Sequence, residues 1–184
     1  MEERALEQRV LVAYASKYGA TEGIAEAIGR SLRDAGLVAE VRRCRDVKSL
    51  EGYTAAVVGS AVYVGRWRRE AADFLRSAEG QLARMQVWLF SSGPTGEGDL
   101  DQLLQGWRFP SALQPIADRI GPRDVAVFHG ALDQDALNPF DAFVARTVKA
   151  PAGDFRDLDA VSAWASRIAG QLQGTEVPAA PVGA

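Results

Sequence analysis

The chain alternates between apolar runs of strand length and stretches whose apolar residues recur at helical spacing. Residues 9–15 (RVLVAYA) are apolar at almost every position, as a strand covered on both faces must be. Ile24, Ile28 and Leu32 then recur every four residues, the stripe of an amphipathic helix that Gly36 stops. Residues 37–42 alternate weakly and fit an edge strand. Further buried runs follow at 53–60 (YTAAVVGS), 85–91 (MQVWLFS) and 125–131 (VAVFHGA). Helical patterns occupy 69–83, 115–120, 139–149 and 158–171. Pro115 opens the second of these and Gly121-Pro122 stops it. A loop over 151–157 (PAGDFRD) ends in Asp157, the expected N-cap of the last helix.

Strands that alternate with helices and lack a clean polar face predict an α/β fold built on a doubly wound parallel sheet of five strands. In such a sheet ligands sit beyond the carboxyl ends of the strands, where strand order reverses. Four segments occupy those ends: SKYGAT (16–21), SAVYVGRW (60–67), SSGPTGEGD (91–99) and HGALD (129–133). The stretch between the third and fourth long buried runs is unusually long, and its part GPTGEGDLDQLLQGWRFP is too acidic and Gly-rich for core. Connections of that length usually carry function.

Bulk composition narrows the classes further. With 184 residues, 47% apolar, 24% charged and a net charge of −3, the chain fits one globular domain with no global attraction to nucleic acid. One cysteine excludes an internal disulfide, and one histidine beside it leaves almost nothing for a zinc or iron–sulfur site, so no metal is expected. No apolar run approaches the roughly 20 residues that cross a bilayer. The charged start MEERALEQR is unlike a signal peptide, and a cytoplasmic location is expected. The tail TEVPAAPVGA is small and Pro-rich, which predicts disorder.

SKYGAT puts two hydroxyls, a glycine and a row of backbone N–H groups at a helix start. Unpaired N–H groups and the helix dipole make that an anion site. An ordinary N-cap turn uses the same residue types, so the six residues alone do not choose. No G-K-[ST] closes a Walker loop, and G-x-G-x-x-G is absent.

The turn resembles the flavodoxin phosphate loop, [ST]-x-[ST/Y]-G-x-[ST] after the first strand. Residues from about 9 to 171 are similar to the flavodoxin-domain family, through YASKYGATEGIAEAI, VVGSAVYVGRW and VAVFHGAL. Within it the resemblance is greatest to the branch of bacterial menaquinone-dependent protoporphyrinogen oxidases. The resemblance implies a flavodoxin-like strand order 2-1-3-4-5, a domain over 9–172 with an extension at 1–8 and a tail at 173–184, and FMN as cofactor. It places Ser16, Lys17, Tyr18, Gly19, Ala20 and Thr21 around the FMN phosphate. Ser60, Ala61, Val62, Tyr63 and Val64 run beside the ribityl chain and ring; Ser92, Gly93, Pro94, Thr95 and Gly96 close the other side. Tyr63 offers a flat face for stacking. Trp67 either touches the flavin or packs under the next helix.

The resemblance implies an FMN-dependent oxidoreductase, quinone- or porphyrinogen-linked, or alternatively a single-domain electron carrier. Its partner is then a redox protein or a small organic donor or acceptor. Several features depart from the family pattern. Lys17 either pairs with the phosphate or points to solvent. The third loop lacks the tyrosine that often covers the flavin, and Trp107 is a candidate substitute. Glu97, Asp99 and Asp101 stand where the membrane-associated oxidases carry basic residues. Arg66, Arg68 and Arg69 either form a solvated face, flank the flavin and favour its anionic reduced form, or attract an acidic partner. His129 is either structural or near the cleft. A phosphoacceptor signalling domain needs acids where the first strand ends AYAS, and a cofactor-free binding module fits poorly with an intact phosphate turn.

Overall fold

The computed structural model describes residues 8–174. β1 (Arg9–Ala15) is buried along almost its whole length. Alternate side chains leave opposite faces of a strand, so Val10, Val12 and Tyr14 enter one hydrophobic core and Leu11, Ala13 and Ala15 the other. α1 (Ala20–Asp34) lays Ile24, Ile28 and Leu32 on the first face. Fully burying side chains of this size is worth about 1.5–3 kcal/mol each. Gly36, at φ 87°, turns the chain into β2 (Val38–Arg43), the edge strand.

β3 (Ala55–Tyr63) pairs with β1 on its other side, so the order of strands reverses around β1. β4 (Arg66–Trp67) folds back on β3 as a short hairpin, and α2 (Arg69–Leu82) returns along the second face with Ala71, Leu75 and Leu82 buried. β5 (Gln86–Ser92), the short helix α3 (Leu100–Leu104), α4 (Gln114–Ile120) and β6 (Asp124–Phe128) follow. β7 (Ala131–Leu132), α5 (Pro139–Thr147) and β8 (Gly153–Asp154) form an excursion before α6 (Leu158–Gln173) packs beside α1. The five long strands are all parallel in the order β2-β1-β3-β5-β6, which is the expected doubly wound arrangement 2-1-3-4-5.

An aromatic trio locks the last strand and helix to the sheet. Trp164 lies 5.5 Å from Phe128 and 6.3 Å from Phe90, both edge-on. Buried indole N–H groups need acceptors, and both meet them at the rim: Trp164 donates to Asp124 at 2.7 Å and Trp88 to Gln171 at 3.2 Å.

The structure corrects several expected boundaries. The buried run at 53–60 becomes a strand that continues to Tyr63, because the hairpin with β4 supplies it with a partner. The run at 125–131 breaks after Phe128: Gly130 leaves the sheet, donates to the Pro94 carbonyl at 3.0 Å, and lies so close that a side-chain carbon there would meet the Gly93 oxygen at 2.9 Å. Its continuation pairs instead with Gly153 and Asp154, inside the segment expected to be loop. The acidic stretch after β5 holds α3, capped by the Asp99 side chain on the N–H groups of Asp101 and Gln102. Asp157 caps α6 as expected, accepting from Ala160 at 2.9 Å. Of the expected tail at 173–184 and extension at 1–8, all but Gln173, Gly174 and Gln8 lie outside the described residues.

Candidate functional site

The reversal of strand order around β1 leaves a crevice beyond the carboxyl ends of β1 and β3. A cavity of about 620 Å³ fills it. Its floor is the β1–α1 turn. Gly19 precedes α1 at φ 88°, a left-handed conformation that favours glycine, and donates its N–H to Ser16 Oγ at 3.0 Å. No side chain caps α1, so the N–H groups of its first turn have no intrahelical acceptor. Thr21 is fully buried in that turn and lines the cavity, and among the described residues its hydroxyl oxygen has no hydrogen-bond partner. An unsatisfied buried hydroxyl is costly unless a ligand completes it.

One wall is the β3–β4 hairpin. Val64 and Gly65 both have positive φ, 49° and 68°, between the paired residues Tyr63 and Arg66. That is a type I′ turn, whose twist matches the flanking strands. It projects Ala61, Val62, Tyr63 and Val64 along the cavity. Ser60 supports the hairpin from within: its oxygen accepts the Arg68 N–H at 2.9 Å and its hydroxyl donates to the Ala61 carbonyl at 2.8 Å. The opposite wall is the turn after β5, with Ser92, Gly93, Pro94 and Thr95. All the residues expected at the site line the cavity except Gly19, Ser60 and Gly96. Gly96 is buried behind it, at φ 117° against Pro151.

Several assignments that the sequence left open are resolved by contacts. Trp67 is buried, donates to Ser91 Oγ at 2.9 Å and meets Phe109 edge-on at 5.0 Å, so it packs beneath the hairpin. Trp107 lines the cavity together with Leu103 and Leu104, which gives the acidic stretch an apolar side. His129 bonds through Nε2 to the Gly98 carbonyl at 3.1 Å and fastens the turn after β5. The three arginines separate: Arg66 is exposed on β4, Arg69 pairs with Asp73 one turn on at 3.3 Å, and Arg68 lines the cavity. Cys44 is buried away from the cavity. Burial, then the nearby Glu70 charge, pushes its thiol up to about 12, so it is no nucleophile.

Sequence reasoning missed Asp141. This buried carboxylate comes from the first turn of α5 and accepts from Lys17 Nζ, from Tyr18 Oη and, at 3.2 Å, from Tyr63 Oη. Lys17, although exposed, is therefore committed to Asp141 rather than free. Burial raises the Asp141 pKa, but the three donors outweigh it and hold the carboxyl below its usual range. The bond to Asp141 in turn raises the Lys17 pKa. Val144, Val148 and Pro151 continue the same excursion as an apolar roof. The only sequence signal was an acid beside two aromatics in NPFDAF, which reads equally well as a surface helix start.

Among the described residues no group of three potential metal ligands occurs, and no helix is long and apolar enough to cross a membrane.

Comparisons with known proteins agree with this architecture. The sequence model of the Flavodoxin domain matches residues 11–159. An NAD(P)H dehydrogenase (quinone) from Bradyrhizobium sp. (strain BTAi1) is 30% identical over 98 residues, covering 41% of this chain and 49% of that protein. The chain thus spans about half the length of this curated relative. Among solved structures, a flavodoxin from the domain Archaea superposes with a TM-score of 0.60 at 18% identity, covering 90% of this chain and 99% of the other. The rubredoxin oxygen:oxidoreductase of the anaerobe Desulfovibrio gigas gives 0.59 at 15% identity, over 92% of this chain but 38% of that one. At these identities the likeness is one of fold.

Proposed function

Given that the chain belongs to the flavodoxin domain family, we propose that the cavity beyond β1 and β3 binds FMN and that the protein is an oxidoreductase. The observation that carries this reading is Thr21, whose buried hydroxyl lacks a partner in the uncapped first turn of α1. A phosphate there would take the free N–H groups of that turn together with the Ser16 and Thr21 hydroxyls. Ala61, Val62 and Tyr63 on one side, and Ser92, Gly93, Pro94 and Thr95 on the other, would flank the ring. The mostly apolar lining suits a flat aromatic ligand fixed by a few polar groups at one end.

Bound FMN would supply transfer of one or two electrons; the protein supplies binding, orientation and electrostatics. Arg68, which meets no carboxylate within ion-pair distance among the described residues, places a cation at the cavity and favours an anionic reduced cofactor. Leu103 and Leu104 of α3, Trp107 and the α5 excursion form a partly exposed apolar roof on the side away from the sheet. Such a roof leaves an apolar compartment for a small organic acceptor, which supports an enzyme over a carrier. A quinone-linked reaction accords with the name of the Bradyrhizobium relative, an NAD(P)H dehydrogenase (quinone). The narrower protoporphyrinogen-oxidase-like assignment rests on the motif resemblance alone.

Titrating FMN into the full chain tests the reading. Its fluorescence is expected to be quenched to an endpoint of one FMN per chain, and unquenched FMN contradicts the proposal. Turnover of NAD(P)H with quinone acceptors by the loaded protein then separates enzyme from carrier.

A further inference from the structure

One buried carboxylate meets one ammonium at the head of α1. Among the described residues Asp141 is the one charged side chain that is buried, only 5% exposed. Its own N–H donates to Asn138 Oδ1 at 2.8 Å, and Tyr18 Oη accepts the Asn138 N–H at 3.3 Å. The carboxylate is thus fixed by three elements at once: the β1–α1 turn through Lys17 and Tyr18, the hairpin through Tyr63, and the cap of α5. Lys17 is the only cation in the turn 16–21, and its ammonium is committed to Asp141. Both residues line the same cavity as the unpartnered Thr21 hydroxyl.

We propose that Asp141 is a specificity-determining residue of this anion seat, setting how strongly the head of α1 prefers a phosphate-bearing ligand over its uncharged counterpart. The inference rests on reading the seat as one for the FMN phosphate. A dianion bound at the first turn of α1 must share Lys17 with the carboxylate and lies in its field. Like charges repel more strongly where one of them is buried, as Asp141 is, than in open water. An uncharged ligand of the same shape escapes that repulsion. Asp141 therefore limits the gain from the phosphate while keeping α5 docked on the turn, and the seat trades affinity for that docking.

Asp141→Asn removes one negative charge, keeps an acceptor oxygen for one of the Tyr18 and Tyr63 hydroxyls while turning an amide N–H to the other, and releases Lys17. The ratio of FMN to riboflavin affinity is expected to rise by about tenfold, the effect of one unit charge at short range in a partly solvated site. The rise should come through tighter FMN binding. Restoring neutrality by Lys17→Met in the Asp141→Asn chain should remove it. A role confined to holding α5 in place predicts something different: both affinities fall together and the ratio stays put.

The experiment measures FMN and riboflavin affinities for the full wild-type and Asp141→Asn chains. In parallel, inorganic phosphate is titrated and the amide signals of Ala20 and Thr21 are followed by NMR. The proposal expects the higher ratio, and phosphate shifts at those amides that saturate at lower concentration in the variant. An unchanged or lower ratio overturns it, as does phosphate that leaves both amides unmoved in both chains. Should neither flavin bind while phosphate tightens at Ala20 and Thr21 in the variant, the FMN reading fails and the role of Asp141 stands. If Asp141→Asn does not fold, Asp141→Ser, a smaller neutral acceptor, takes the same measurements.

Discussion

Phe90 occupies the space that a side chain on Gly59 would need. The two are paired across β3 and β5, and the edge of the fully buried Phe90 ring lies against the bare Gly59 backbone. This contact comes one residue before Ser60, where β3 begins to build the wall of the cavity. Gly59→Ala therefore forces Phe90 out of its place among Phe128 and Trp164. It should cost about 1–3 kcal/mol, the usual penalty for overpacking a core, read as a lower midpoint in urea unfolding.

The hairpin beside it shows the opposite sign. Val64 is a β-branched residue held at φ 49° and is 72% exposed. Type I′ turns favour asparagine at this position, ahead of glycine. Val64→Asn should stabilise the chain by about 1 kcal/mol by relieving left-handed strain. If Val64 is kept for contact with the ligand, the same variant weakens FMN binding while its unfolding midpoint rises.

Thr21 separates ligand binding from folding. Thr21→Val removes a buried hydroxyl that has no protein partner, so the stability of the ligand-free chain should hold or rise. FMN affinity should fall by about 1.5–3 kcal/mol, the worth of a hydrogen bond to a charged group. Calorimetric titration, with thermal unfolding of the same samples, reads both.

On the edge strand β2, Glu40 contributes to acid stability. The Tyr53 hydroxyl, then Arg42 and Arg9, hold its carboxyl at about 2 rather than 4.5. Because the folded pKa is depressed, the unfolded chain takes up the proton first. The stabilisation is complete above about 4.5 and is lost as pH falls towards 2. Glu40→Gln should lower stability at neutral pH and flatten the acid limb in that window, measured by urea midpoints against pH.

The arginine cluster yields an asymmetric prediction. Arg68→Gln removes a cation lining the cavity and should move the two-electron potential of bound FMN to a more negative value. Arg69→Gln should not, since Arg69 is turned to solvent and Asp73. A spectroelectrochemical titration of each variant checks the difference.

The sheet was readable because its strands are covered on both faces, which leaves runs such as VLVAYA that no surface element tolerates. Turns that bind through backbone groups were readable too, since SKYGAT and SAVYVG fall directly after such runs. What the sequence hid was brought together by tertiary structure. Asp141 lies 124 residues from Lys17, and nothing local in PFDAF distinguishes a buried acid from a helix-start acid. β7 and β8 are two residues each and exist only because they pair with each other. α3 was masked by its acids, which cap and solvate one side while Leu103 and Leu104 face the cavity. The arginines looked alike in a row, and only the direction of each side chain separates Arg68 from Arg69.

We propose above all that the turn from Ser16 to Thr21 seats the phosphate of an FMN cofactor. The most direct test is to incubate the purified full chain with FMN, remove the unbound excess, denature the protein and identify what is released. The account predicts a yellow protein that releases FMN in a one-to-one ratio with the chain. A colourless protein that retains no flavin would contradict it.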